Sequence, residues 1–545
     1  MVNLHGSTAV RAGRYLLPLV FPACCALWVL LFFPSPPVEV AVFRQSFQPN
    51  IALTGQRTVD TTTPWPSERR EMVDTSSPPP PLPTERHGII NAPPPPLAPA
   101  RQARTEVSGQ AGTETPSPPP PAVATDRNRC AGRYIYIHDL PSRFNSDLIR
   151  DCRSLSEWTD MCKHLVNAGM GPRLTRTGGV LPSTGWYDTN QFALEVIFHS
   201  RMRRYDCLTT DTSRAAAVYV PYYAGLDVGR HLWGFSNGVR DALAEELFEW
   251  LRSSPAWAAQ GGRDHFFVGG RITWDFRREG GGEWGSRLLL LPEAKNMTML
   301  AIESSPWHGN DVGVPYPTYF HPSHAGEVAS WQRAVRRTRR PWLFAFAGGA
   351  RAHDGSSKNV NAVVRDAIIN QCARSRRCGL LVCGARGRRN DCYAPGNVMR
   401  LFKSAAFCLQ PQGDSYTRRS VFDAVLAGCV PVFFHPGSAY VQYRWHLPAD
   451  HRRYSVFVPE DGVRNGTVRV EDVLRRIGAR EVAAMREQVV RMIPSIVYRD
   501  PRVKAGDSFR DAVDVAVDGV IERVRRIKRG LEDDVGHQWD AYFDK

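Results

Sequence analysis

"FCLQPQGDSYTRRSVFDAVLAGCVPVFF", residues 407–434, carries the pattern that decides the fold. The apolar run 405–411 reads as a buried strand, QGDSYT as a polar loop, RRSVFDAVLAG as a helix and 430–434 as a second strand. Val421, Phe422, Val425 and Leu426 recur at helical spacing and would lie on a sheet. Strand, helix and strand in succession make a βαβ unit, and in open α/β sheets ligands sit beyond the carboxyl ends of the strands. Gly413, Asp414, Ser415, Arg418 and Arg419 fall at that end. Free amides at a helix start, a glycine permitting close backbone approach and two guanidinium groups suit a diphosphate. Asp423, about one turn further on, is a short acceptor suited to ribose hydroxyls. By itself the segment reads equally well as an ordinary capped helix, with Ser415 or Thr417 as the cap and the arginines in water.

A second segment, "WLFAFAGGARAHDGSSKNVNAVVRDAI" at 342–368, repeats the arrangement with Gly348, Gly349, Arg351 and, on the following helix, Arg365. One nucleotide diphosphate satisfies both strand ends. Further strands are expected at 133–138, 216–223, 264–270, 379–383 and 454–459, with helices at 189–204, 237–252, 359–374 and 418–427. Alternation of this kind predicts two doubly wound, Rossmann-like α/β domains facing a cleft. The charged stretch 326–341 reads as the connection between them. The domains are placed at 130–340 and 341–500, with 501–545 a C-terminal helical tail.

The rest of the 545-residue chain sets the setting. Residues 15–33 carry no charged side chain, long enough at about 1.5 Å per residue to cross a hydrocarbon core, and Arg11 and Arg14 precede them. A single-span anchor with residues 1–14 cytoplasmic and everything after it lumenal is expected. Residues 34–129 hold 21 of the 42 prolines, in tracts such as "APPPPLAP" and "SPPPPA", and read as a disordered stem. Ten of the twelve cysteines follow it, an even number that predicts disulfides in an oxidising lumen, with the pairing open. Asn296 and Asn465 begin N-glycosylation sequons. The net charge of +15 comes from 62 arginines and seven lysines dispersed along the chain, with no aromatic-interleaved basic stripe, so nucleic acid is not expected as a partner.

The blocks "YIHDLPSRFN", "WYDTNQFALEVIFHSRM", "VPYYAGLDVGR", "FFVGGRITWDFRR", "ESSPWHGNDVGVPYPTYFHP", "FCLQPQGDSYTRRS" and "FDAVLAGCVPVFFHPGSAY" together resemble the plant exostosin-type glycosyltransferases, the xyloglucan galactosyltransferase branch above all. The resemblance runs from Cys130 to about Pro501. It implies a GT-B fold, a type II Golgi membrane enzyme and a UDP-sugar donor, with inversion at the anomeric carbon. Galactose would pass from UDP-galactose to xylose side chains of xyloglucan in cell-wall synthesis, beside other wall glycosyltransferases. Another UDP-sugar or wall polymer is the alternative, and a non-catalytic Golgi scaffold is a second. Asp423 occupies the place of the family's ribose-binding acid in "DAVLAGCVPV". No D-x-D triad is present, so no metal cofactor is expected, arginines and helix amides neutralising the leaving diphosphate instead. Inversion requires a general base. The sequence nominates Glu195, Asp139, Asp227 and Asp311 without choosing among them, with His138, Asp275 and His199 nearby.

Overall fold

The computed structural model describes residues 130–531 apart from 158, 176–177, 351–359, 384–391, 393, 414 and 504–508. The expected anchor and stem, and Arg351 and Asp414, lie outside the described residues. Among the described residues no helix is long and apolar enough to cross a membrane.

The strands are β1 (Ile135–Ile137), β2 (Ala217–Tyr219), β3 (His265–Ile272), β4 (Thr298–Glu303), β5 (Asp311–Gly313), β6 (Trp342–Gly348), β7 (Cys378–Val382), β8 (Ala405–Gln410), β9 (Val430–Phe433) and β10 (Val456–Phe457). The helices that position the site are α1 (Leu194–Met202), α2 (Ala224–Arg230), α3 (Asn237–Arg252), α4 (Ala325–Arg337), α5 (Val360–Arg374), α6 (Pro395–Lys403), α7 (Arg419–Leu426) and α8 (Ala512–Lys528).

The first sheet is parallel and runs β1-β2-β3-β4-β5 in chain order. Double winding needs a reversal of strand order, and this sheet has none, so that expectation fails for the first half of the fold. Its residues alternate between two layers: Phe267 and Met299 face the cluster that includes Phe248 and Leu251 of α3, while Phe266 and Val268 face the cluster that includes α1. Much of that second layer arrives from the far end of the chain. Val513, Val517 and Val520 of α8 belong to it, and Arg201 on α1 pairs with Asp511 at 3.2 Å and Asp514 at 2.9 Å. The expected C-terminal tail is therefore a structural layer of the first sheet.

The second sheet is also parallel, in the order β7-β6-β8-β9-β10. Here the order does reverse, and the switch point lies between the carboxyl ends of β6 and β8. The charged stretch before it is no loose connection. Residues 325–337 form α4, whose Val328, Trp331 and Val335 are buried, and the Trp331 indole N–H donates to the Leu426 carbonyl at the end of α7 at 2.9 Å. Just beyond, the Arg340 guanidinium donates to the carbonyls of Phe402 at 3.0 Å and Ala427 at 2.7 Å, a cation against the carboxyl ends of α6 and α7. Burial pushes this arginine down to about 9.

All ten cysteines from Cys130 onward are paired, as 130–207, 152–162, 372–378, 383–392 and 408–429. The last joins β8 to the residue before β9, across the βαβ unit quoted above.

Candidate active site at the facing carboxyl edges

The loop that leaves β8 is held by its own polar groups. The Gly413 N–H donates to the Ser415 carbonyl at 2.9 Å, the Gln412 amide to Glu460 at 2.8 Å, and the Ser420 hydroxyl to Gln410 at 2.6 Å. Gly413 is thus folded into a turn, with the Arg418 side chain packed beside it. At the end of β6, a Cβ on Gly348 would lie 3.0 Å from the Arg365 guanidinium, so glycine there makes room for that buried arginine over the switch point. Arg365 therefore sits at the end of β6, and Gly413, Ser415 and Arg418 sit on the loop that leaves its neighbour β8.

Arg419 and Asp423 turn elsewhere. The Arg419 guanidinium donates to the Thr189 carbonyl at 2.6 Å, lies 3.5 Å over the Tyr319 ring and is 3.9 Å from Asp423. Asp423 is buried beside it, and burial pushes its carboxyl up to about 6 against the pull of Arg419. The Asp423 Oδ1 has no hydrogen-bond partner among the described residues.

A residue that the sequence reading passed over joins the two sheets. Glu303 ends β4 of the first sheet and accepts from the Tyr316 hydroxyl at 2.6 Å, from the Ser415 hydroxyl at 2.8 Å and from the Thr417 N–H at 3.3 Å. A carboxylate from one carboxyl edge thus meets the loop from the other. Burial pushes it up to about 7, while these donors and the Arg418 guanidinium pull the other way. Its sequence signals are position, an acid closing the apolar run "MLAI", and its place at the head of the block "ESSPWHGNDVGVPYPTYFHP".

The four nominated bases disperse. Glu195 is wholly buried and accepts from the backbone N–H groups of Gly225, of Leu226 at 3.1 Å and of Gly270 at 3.0 Å, so it ties the start of α2 to β3. Burial pushes it up to about 8 against those donors. Asp227 accepts from the Tyr222 hydroxyl at 2.6 Å and pairs with Arg230. Asp311 begins β5, pairs with Arg277 at 2.7 Å and accepts from the Ser305 N–H at 2.6 Å, so it holds the segments that leave β3 and β4; burial raises its pKa. Asp139 is exposed just past the end of β1. His138 and His265 meet at 3.1 Å on the face under Trp250, and Asp275 accepts from Arg271 and Trp284. Asn296 and Asn465 are both exposed.

Two parallel α/β sheets that meet carboxyl edge to carboxyl edge over a basic, glycine-bearing loop have the architecture of a glycosyltransferase. The chain belongs to the exostosin family: the model of the Exostosin GT47 domain matches residues 129–474. It is 49% identical over 443 residues to the xyloglucan galactosyltransferase MUR3 of Arabidopsis thaliana, covering 76% of this chain and 70% of that one. It is 50% identical over 418 residues to a second Arabidopsis thaliana protein, named as a probable xyloglucan galactosyltransferase, GT12, covering 75% of this chain and 80% of that one. A xyloglucan-specific galacturonosyltransferase of the same plant is 41% identical over 400 residues, covering 73% of this chain and 58% of that one.

Proposed function

We propose that the protein transfers galactose from UDP-galactose to xylose side chains of xyloglucan, with inversion, as a GT-B type enzyme anchored through residues 15–33 in the Golgi membrane. The observation that carries this reading is the contact of Glu303 with Ser415 and Thr417, which sets an acceptor-side carboxylate against the donor-side loop. In a chain about half identical to named xyloglucan galactosyltransferases, that geometry supports a donor held at the β6/β8 crevice and an acceptor approaching from the first sheet.

Arg418 and Arg365 face the diphosphate and offset the charge that develops on leaving UDP. Glu303 takes the proton of the attacking hydroxyl. Three donors reach its carboxylate, which has room for about four, and its pKa near 7 suits general-base work near neutral pH. Glu195, Asp227 and Asp311 hold structure instead. The arginines carry the role that a metal fills elsewhere, so exhaustive chelation is expected to leave most of the turnover intact. Turnover abolished by EDTA and restored by stoichiometric Mn²⁺ would point to a carboxylate metal site instead.

The deciding experiment incubates the detergent-solubilised full chain with a panel of UDP-sugars and xyloglucan oligosaccharides. Galactose appearing in β-linkage on xylose supports the reading, and its absence in an active preparation overturns it. The galacturonosyltransferase relative and the arginine-lined crevice favour UDP-galacturonate as the second donor to try.

A further inference from the structure

Among the described residues the exposed tryptophans are Trp233, Trp274, Trp284 and Trp307, at 37%, 54%, 49% and 52% exposure. All four sit on segments that follow β2, β3 and β4, beyond the carboxyl edge of the first sheet. Trp186, by contrast, is packed in the core against Phe320 and Trp331. Surface tryptophans are uncommon, and a contiguous set of them marks an interaction site.

The set is built rather than incidental. Trp233 and Trp284 stack with centroids 5.1 Å apart and planes 12° apart. Stacking uses one face of each ring and leaves the two outer faces pointing in opposite directions, so Trp233 backs Trp284 and the outer face of Trp284 is the one a flat ligand can meet. The Trp284 indole N–H donates to Asp275 at 2.8 Å, and the Asp275 carboxylate is in turn held by Arg271 at 3.3 Å. The Gly285 N–H donates to the Leu232 carbonyl at 2.7 Å, fastening the two loops together. Gly285 has φ +69°, and a Cβ there would lie 2.3 Å from the Asp275 carbonyl, so only glycine lets the loop close in this way. Trp274 stands on the turn directly after β3, whose Ile272 lies in register with Glu303. Trp274 thus stands beside the reacting edge, and its sequence neighbour Asp275 holds Trp284 through the indole N–H.

Resting on the function proposed above, we propose that the outer face of Trp284, backed by Trp233, together with Trp274 on the turn after β3, forms a stacking platform for the β-glucan backbone of the polymeric acceptor, several sugar units from the reacting xylose. A β-linked glucan is a flat ribbon with apolar C–H faces and hydroxyl-bearing edges. A flat, pre-positioned indole with the exposed carboxylates of Glu279 and Glu283 on the same loop matches both features, and it holds its conformation before the ligand arrives. Continuity with Glu303 argues for the acceptor chain over a second copy of this protein.

The test uses the full-length enzyme in detergent, with W284A, W233A and the conservative W284F, folding being checked by near-ultraviolet circular dichroism. Transfer to polymeric xyloglucan and to a single-repeat oligosaccharide is compared, and affinity electrophoresis through unsubstituted β-glucan reads binding without catalysis. W284A and W233A are expected to raise the KM for polymer about fivefold or more, to leave kcat, UDP affinity and the oligosaccharide KM within twofold, and to lose retardation in the glucan gel. W284F should keep most of the polymer affinity. An unchanged polymer KM in folded W284A overturns the platform, as does an equal rise for both acceptors. A shift from dimer to monomer with KM unchanged assigns the rings to a second copy and also overturns it. If the wild type transfers no galactose to xyloglucan, the functional reading fails instead, and retention or loss of glucan retardation in W284A then decides the platform alone.

Discussion

Arg418 and Arg419 are adjacent in sequence and have different roles. Arg419 is held by Thr189 and Tyr319, so it braces α7 against the segment before α1. Arg418 stands at the cap of α7 with its stem beside Gly413, within electrostatic reach of Glu303. Replacing Arg418 by alanine should weaken UDP binding roughly tenfold or more, because a charge-assisted hydrogen bond contributes about 1.5–3 kcal/mol. The thermal midpoint should hardly move, and titration calorimetry with UDP reads the difference. A second substitution, Glu303→Gln, keeps the shape and one acceptor oxygen but removes the base. It should lower kcat by about 10² or more with UDP affinity nearly unchanged. In the wild type, kcat should rise with pH through about 7, since the base must be unprotonated to act, and the Gln variant should lose that limb. A kcat within threefold of wild type would pass the role to Asp139. The arginines and Gly413 of the loop after β8 were legible as a cluster because they sit beside one another in sequence. The standing of each carboxylate was not, because its partners come from afar: Glu195 meets the amides of Gly225 and Gly270, and Glu303 meets Ser415.

The β8–α7–β9 unit is the best-determined element in the sequence and also a covalently closed one. Cys408 and Cys429 bracket 20 intervening residues, so replacing both by serine should cost about 2–4 kcal/mol by releasing the unfolded chain. A drop in urea midpoint at constant m-value would show this, and an unchanged midpoint would mean that packing alone holds the unit. Elements failed to declare themselves where composition gave a weak signal. Residues 298–303, Thr-Met-Leu-Ala-Ile-Glu, are buried throughout as β4, yet they hold only two β-branched residues and no polar alternation. A strand covered on both faces has no period to read, and missing it meant missing Glu303 at its end. The opposite error fell on 326–341, whose charges concealed the apolar stripe Val328, Trp331 and Val335.

Over the whole molecule, buried titratable groups set a pH profile for stability. Burial holds His138 at about 3 and His199, His321, His435 and His446 at about 4. Below the ordinary histidine value of about 6.5 the unfolded chain takes up protons that the folded chain refuses, so stability falls as pH drops from 6.5 towards 4. Glu195 and Glu303 act in the other direction, with folded values of about 8 and 7. Above their unfolded value of about 4.5 the folded state holds the extra protons, so stability falls as pH rises, and the opposing contribution of the histidines fades between about pH 6.5 and 7.5. The thermal midpoint should therefore peak near about pH 7 and decline by pH 8, on the order of 1 kcal/mol. Scanning calorimetry across that range checks it; a midpoint flat or rising from about pH 7 to 8 would refute it. The overall two-sheet plan was readable from alternating strands and helices. The unreversed order of the first sheet was not, because strand neighbours are a matter of tertiary choice.

The return of α8 to the first sheet also bears on how the protein is made. A ribosome delivers β1 to β5 first, yet the helix that covers one of their faces begins at Ala512, about 200 residues after β5 ends. At roughly 5–20 residues per second the half-finished sheet waits about 10–40 s with that face covered by α1 but not yet by α8. During biosynthesis the first sheet is thus begun first and completed last, and for that interval part of its apolar surface stays open to water.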